Sequence, residues 1–166
     1  MKVLAIVQAR MGSTRLPNKV MREVGGIPLI ELLLTRLSQS TAIDQIVLAT
    51  SIDPKNIPLV QHVESLGYQS FQGSENDVLE RFYFAAQQFA GDIIIRITGD
   101  CPLIDPQLVD EAIRKFKTDD VDYLCNANPP TFPDGLDIEV FSFAALERAH
   151  NDSHTLSDRE HVTPYI

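Results

Sequence analysis

Eleven residues near the start, Ala9-Arg-Met-Gly-Ser-Thr-Arg-Leu-Pro-Asn-Lys19, hold three cations, a glycine and two hydroxyls with no acid among them. Arg22 follows, and the first acidic residue is Glu23. Through residue 22 the chain carries five cations and no anion, whereas the remainder carries nine cations against 23 acids. Such a segment suits phosphate. Backbone N–H groups at Gly12 and Ser13 can form an anion-binding nest, and Arg10, Arg15 and Lys19 can hydrogen-bond phosphate oxygens. A basic surface loop with solvated, idle charges has the same composition. Two common phosphate loops are excluded by spacing. Where a Walker A loop needs a second glycine and a hydroxyl, the chain has Asn18 and Val20. The dinucleotide pattern G-x-G-x-x-G is absent, because Gly12 stands alone until Gly25.

The carboxylates are the complementary half of the chemistry. Thr98-Gly-Asp100-Cys-Pro-Leu-Ile-Asp105 comes after an apolar run, with Gly99 allowing close backbone approach and Pro102 stiffening the turn beyond Asp100. A lone carboxylate facing bound phosphates can hold Mg²⁺, which takes one or two carboxylates plus substrate oxygens. A turn aspartate capping its own backbone reads the same locally. Asp105, before Pro106, has the pattern of a helix N-cap. In Phe132-Pro-Asp-Gly-Leu-Asp-Ile-Glu-Val-Phe141, period-two alternation puts Asp137 and Glu139 on one face, roughly 6.5–7 Å apart. That pair suits sugar hydroxyls or a second metal, and equally the wet face of an edge strand. His150 and His154 are spaced i,i+4 but lack the glutamate of a zinc helix. Cys101 adjoins Asp100 with no histidine base placed by sequence, so it reads as packing.

The elements that must carry these residues alternate. Lys2 to Gln8 is short, Val- and Ile-rich and ended by the Gly-Ser-Thr cluster, so it reads as a buried parallel strand. Pro28 opens a helix whose Leu and Ile content buries it on most sides. Strands are expected at 45–50, 68–72, 92–98 and 121–125, with helices at 56–66, 78–89 and 106–116 between them. Ser74 to Asp77 fits a capping box. Beyond Asn128 to Pro133 an antiparallel excursion is expected. The β-α-β-α order implies a parallel, right-handedly wound sheet with helices on both faces. A cationic loop at the carboxyl end of the first strand is where such a sheet binds its ligand.

At 166 residues the chain reads as a single domain, and 44% hydrophobic content is globular. No apolar run reaches membrane-spanning length and no signal-peptide pattern opens the chain. Two cysteines without C-x-x-C spacing suggest reduced thiols and a cytoplasmic location. A net charge of −9 argues against nucleic-acid and acidic-membrane partners, while a small polyanion bound locally with a metal stays compatible.

The loop A-R-M-G-S-T-R-L-P-N-K resembles the nucleotide-binding signature of the CMP-sugar cytidylyltransferases (acylneuraminate and CMP-KDO synthetase-like), nearest to their SpsF branch. G-D-C-P-L-I, F-P-D-G-L-D-I-E-V-F, G-S-E-N-D-V-L-E-R and S-D-R-E-H-V-T-P extend the likeness over essentially the whole chain. The resemblance implies a three-layer α/β/α fold with a mostly parallel, Rossmann-like sheet of the nucleotide-diphospho-sugar transferase type. It implies that Ala9, Arg10, Gly12, Ser13, Arg15 and Lys19 wrap the triphosphate of CTP and that Asp100 binds Mg²⁺. Ser74, Asp77 and Arg81 would approach cytosine and ribose, and Gln8 would reach the base from the strand end. Asp137 and Glu139 would border the sugar pocket, and Arg159 and His161 would reach the site or a homodimer partner. Relatives of this kind continue beyond position 166 with another aspartate-bearing strand, so the family fold is expected to be incomplete here. The expected reaction joins CTP to a sugar, of the nonulosonate type, with release of pyrophosphate for surface polysaccharide synthesis. A nucleotidyltransferase using another nucleotide and a non-catalytic nucleotide-binding module are the alternatives.

Overall fold

The computed structural model describes residues 1–13 and 16–166, and the elements fall in this order. Strand β1 is Val3–Gln8, the hairpin β2 and β3 is Glu23–Val24 and Ile27–Pro28, and helix α1 is Leu29–Leu37. Next come β4 (Gln45–Ser51), α2 (Ile57–Ser65), β5 (Gln69–Gly73), α3 (Val78–Gln88), β6 (Ile93–Thr98) and α4 (Pro106–Thr118). The chain continues through β7 (Tyr123–Cys125), β8 (Glu139–Ser142), α5 (Phe143–Asp152) and α6 (Leu156–His161).

Six strands form one sheet in the order β5-β4-β1-β6-β8-β7. The first four neighbours are parallel, while β8 runs antiparallel to both β6 and β7. The expected excursion after Pro133 is thus the return strand β8. Successive residues of β1 bury into opposite layers, which is why the strand is apolar from Val3 to Val7. Val3, Ala5 and Val7 pack with Leu33, Leu34, Leu59, Val63, Val109 and Ile113, from α1, α2 and α4. Leu4 and Ile6 pack with Leu79, Phe82, Ala86, Leu146 and Ala149, from α3 and α5. No helix among the described residues is long and apolar enough to cross a membrane.

Local chemistry sets the element ends. Asp105 accepts from the N–H groups of Gln107 and Leu108 at 2.8 and 3.2 Å, with Pro106 at the first helical position of α4. Gly25 and Gly26, at φ 62° and 82°, turn β2 into β3. That pair of positive angles is what a two-residue hairpin requires. The hairpin places Pro28 just before α1 rather than inside it. Asp77, not Ser74, caps α3: its carboxylate accepts from Glu80 N–H at 2.8 Å, while the Ser74 hydroxyl accepts from Asp77 N–H at 3.0 Å. Helices α5 and α6 were not expected from the sequence. His150 consequently sits on a helix and stacks on Tyr83 with ring centroids 4.2 Å apart, while His154 lies beyond the end of α5.

One contact governs where the strand ends meet. Gly99 N–H donates to the Gln8 carbonyl at 2.8 Å. A Cβ on Gly99 would lie 2.7 Å from the Ala9 Cβ and 3.1 Å from the Gln8 oxygen. Gly99→Ala should therefore overpack the β1–β6 junction and destabilise the fold by about 1–3 kcal/mol. Thermal unfolding would show this as a lower Tm, by ~2–4 °C per kcal/mol for a chain of this size. An unchanged Tm would show that the junction has slack.

Candidate functional site

The loop leaving β1 is pinned at both ends. Ala9 N–H donates to the Ala49 carbonyl at 3.4 Å, which extends the strand pairing by one residue. Met11 N–H donates to Asn56 Oδ1 at 2.8 Å. Asn56 is itself buried, and its amide donates to the hydroxyl and carbonyl of Ser51 at 2.7 and 3.2 Å. At the far end Asn18 takes a left-handed conformation (φ 56°) and its N–H reaches the Met11 carbonyl at 3.3 Å. Val20, buried in the core, anchors the short helical turn Lys19–Met21. Thr14 and Arg15 lie outside the described residues.

The loop and the turn after β6 enclose a cavity of about 310 Å³. Gly12, Ser13, Lys19, Gly99 and Asp100 line it, with Gln8, Ala9 and Arg10 at the strand end. Lys19 Nζ lies 3.1 Å from Asp100 Oδ2 across this space. Burial pushes the Asp100 carboxyl up, but hydrogen bonds from Thr98 and Lys19 and the charge of Lys19 outweigh it, so its pKa falls below the ordinary value. Asp100 is thus ionised at neutral pH, and its side chain is half exposed, so the carboxylate is open to a cation. A single reachable carboxylate suits Mg²⁺, whose other positions are filled by substrate oxygens and water. Among the described residues no three His, Cys, Asp or Glu side chains converge as a metal cluster. Next to Asp100, Cys101 is 4% exposed, its hydroxyl partner is Thr98 at 3.3 Å, and burial pushes its thiol up, which suits packing rather than nucleophilic chemistry.

A larger cavity of about 710 Å³ adjoins the first, and Gln8, Arg10 and Asp100 line both. Its far wall comes from Asn76, Asp77 and Arg81 on one side and Arg159, Glu160 and His161 of α6 on the other. Most of its charges already have partners. Arg10 pairs with Glu75 at 2.5 Å, and Arg159 lies 3.4 Å from Asp77 while donating to the carbonyls of His150 and Ser153 at 2.7 and 3.2 Å. Arg81 differs. It is 2% exposed, Nη1 donates to the Ser74 carbonyl at 2.7 Å, and Nε has no partner among the described residues. Burial, helped by the nearby charge of Arg10, pushes its pKa down to about 10 against the pull of Glu75 and Asp77. A buried donor without an acceptor costs free energy, so this guanidinium is held at the cavity wall at a cost to the fold.

Most residues read from the sequence are gathered here: Gln8, Ala9, Arg10, Gly12, Ser13, Lys19 and Asp100 around the smaller space, and Asp77 and Arg81 around the larger. Ser74 is adjacent, through its contacts to Asp77 and Arg81. The Asp137–Glu139 pair differs from expectation, since neither residue lines either cavity. Only Glu139 is in β8, and its carboxylate takes an ion pair from Arg96 and hydrogen bonds from Tyr123 (2.8 Å) and Thr163 (2.5 Å). Asp137 precedes the strand; burial, then Asp134, Glu139 and Asp100, push its pKa up. Three residues were not singled out from the sequence: Asn56, Glu75 and Arg96. Arg96 did leave a signal, a lone charge inside the apolar run Ile93-Ile-Ile-Arg-Ile.

The fold and the sequence both have counterparts among known proteins. The family model described as cytidylyltransferase matches residues 4–166. The spore coat polysaccharide biosynthesis protein SpsF of Bacillus subtilis is 37% identical over 173 residues, covering 98% of this chain and 72% of that protein. A cytidylyltransferase structure from Leptospira borgpetersenii superposes with a TM-score of 0.95 at 36% identity, over 99% of this chain and 70% of that one. The structure of CMP:2-keto-3-deoxy-manno-octonic acid synthetase complexed with CTP shares the fold, with a TM-score of 0.76 at 18% identity over 98% and 83% of the two chains. On the family match and these likenesses, the chain belongs to the cytidylyltransferase family.

Proposed function

We propose that this protein transfers CMP from CTP to a hydroxyl of a sugar acid and releases pyrophosphate. The observation that carries the reading is the Lys19–Asp100 pair across the smaller cavity. The two groups carry the charges needed by opposite ligands, an ammonium for phosphate oxygens and a carboxylate for a divalent cation. In this reading the triphosphate lies along the loop, held by the backbone of Gly12 and Ser13, the Ser13 hydroxyl, Arg10, Arg15 and Lys19. Asp100 would hold Mg²⁺, which when bound offsets negative charge on the phosphate oxygens. The protein's own work is positioning and charge stabilisation, because an in-line attack by the sugar hydroxyl on the α-phosphorus needs little covalent help. Lys19, Arg10 and Arg15 neutralise charge gathering on the departing pyrophosphate.

The larger cavity has room for nucleoside and acceptor together. Gln8, Asp77 and Arg81 would contact base and ribose, with Ser74 holding the last two in place. Arg159 supplies positive charge and His161 an imidazole at the opposite wall, which suits the carboxylate of a sugar acid. Asp137 would approach the acceptor, whereas the Glu139 carboxylate is engaged by its three partners. The likeness to SpsF supports a place in polysaccharide synthesis, and homodimerisation is part of the same reading. A related transferase using UTP or GTP would share the phosphate cleft but not the base contacts.

A nucleotide panel separates these readings. With Mg²⁺ present, CTP at 100 times its Kd should stabilise the chain by about 2.7 kcal/mol, and UTP, GTP and ATP by clearly less. Equal thermal shifts from all four would remove the cytidine assignment while leaving the phosphate cleft intact. Substituting Lys19→Ala or Arg15→Ala removes one charged hydrogen bond of about 1.5–3 kcal/mol. Pyrophosphate release assays should then show kcat/KM lower by roughly 10–150-fold. Wild-type turnover in both variants would refute the assignment of the loop.

A further inference from the structure

Arg96 is the sole charged residue of β6, and it is held from several sides. It lies directly across from Glu139 in the antiparallel β6–β8 ladder, and the two side chains form an ion pair at 14% and 15% exposure. The Glu139 carboxylate is itself fixed by the hydroxyls of Tyr123 and Thr163. Burial, Cys125 and Glu139 all raise the pKa of Tyr123, so its phenol remains a donor. The guanidinium carbon sits 6.0 Å from the centroid of the Phe82 ring. From this position Arg96 Nε–H donates to Gln8 Oε1 at 3.3 Å.

A guanidinium offers donors and no acceptor. The Gln8 atom facing it must therefore be the carbonyl oxygen, and the Gln8 NH₂ group turns the other way. Gln8 lines both cavities and Arg96, which holds its side chain, lines the larger, so the residue stands where the two cavities meet. We propose that Arg96 is a positioning residue, anchored by Glu139, that sets the Gln8 amide so that a donor is presented where the two cavities meet. The ligand atom this arrangement reads is an acceptor on the pyrimidine base, a carbonyl oxygen or an unprotonated ring nitrogen. The inference rests on the nucleotide reading given above. It also accounts for a carboxylate–guanidinium pair placed beside the site yet committed to its own partners.

The test is a double-mutant cycle on CTP affinity, measured by calorimetry with Mg²⁺. Gln8→Ala should weaken binding about 3–10-fold, the scale of one neutral hydrogen bond. Arg96→Lys keeps a cation for Glu139 but cannot hold both partners at once, and it should weaken binding by a similar factor. In the Gln8→Ala background the same change should cost less than about 2-fold. If Arg96→Lys fails to fold, Glu139→Gln takes its place in the cycle, with the same expected coupling. Side-chain amide NMR gives a readout that needs no nucleotide. The Gln8 NH₂ pair should be ordered in the wild type and mobile once Arg96 is changed. A wild-type chain that ignores CTP yet shows this ordering would fail the nucleotide reading alone and uphold the positioning. Additive affinity losses, or a Gln8 amide equally ordered with and without Arg96, would overturn the positioning.

Discussion

The carbonyl of Gln8 and the amide of Gly99 meet at 2.8 Å, with no room for a side chain on the glycine. Everything functional hangs on that meeting. Because β1 and β6 are parallel neighbours, their carboxyl ends lie at one edge of the sheet. One end continues into a loop rich in cations and the other into Asp100. The close approach brings the two continuations near enough for Lys19 and Asp100 to pair. The same edge sets the floor of the larger cavity. On the face packed by α3 and α5, buried Leu4 and Ile94 give way along the strands to Gln8, Arg96 and Thr98. The apolar half of the face builds core and the polar half builds site.

Ion pairs in the site divide into two kinds by exposure. Arg10–Glu75 and Lys19–Asp100 have side chains a third to a half exposed. Pairs of that kind contribute only about 0–1 kcal/mol. A charge-assisted hydrogen bond to a phosphate oxygen contributes more, about 1.5–3 kcal/mol. Under the proposed function, exchanging these protein partners for a triphosphate would therefore be favourable, with the resting pairs keeping the cations in place until it arrives. Arg96–Glu139 belongs to the other kind. Removing one partner of a pair this buried typically costs ~3–5 kcal/mol, so it stays fixed while the exposed pairs exchange. Fixed and exchangeable charges occupy neighbouring positions without competing.

Much of this was legible in the sequence. The charge-segregated loop, the apolar strands and the Gly-Asp turn each carry a local signature, and the β-α alternation fixes the edge at which they gather. Asp105 as a helix cap was equally readable, because a cap depends on its immediate neighbours. Contacts across the sheet were not. Alternation correctly put Glu139 opposite Ile138 and Val140 in facing, but no local pattern says that Arg96 stands across from it and takes its carboxylate. The cap of α3 slid from Ser74 to Asp77 because both residues can accept an N–H and only the path of the chain decides between them. Asn56, buried and pinning the loop through Met11, looked like an ordinary polar residue at a helix start. Its role depends on a partner 45 positions away.

The two cavities share three residues and otherwise draw on different parts of the chain. The smaller is built by main chain and the first loop, while the larger takes its far wall from the segment before α3 and from α6. Natural drift can therefore act on the two unequally. Asn76, Leu156 and Glu160 line the outer chamber alone, so replacing them reshapes it without touching the lining of the smaller cleft. On the proposed reading, a lineage built on this scaffold would change the sugar it prefers by small steps in the outer chamber while the cleft assigned to the triphosphate stays as it is.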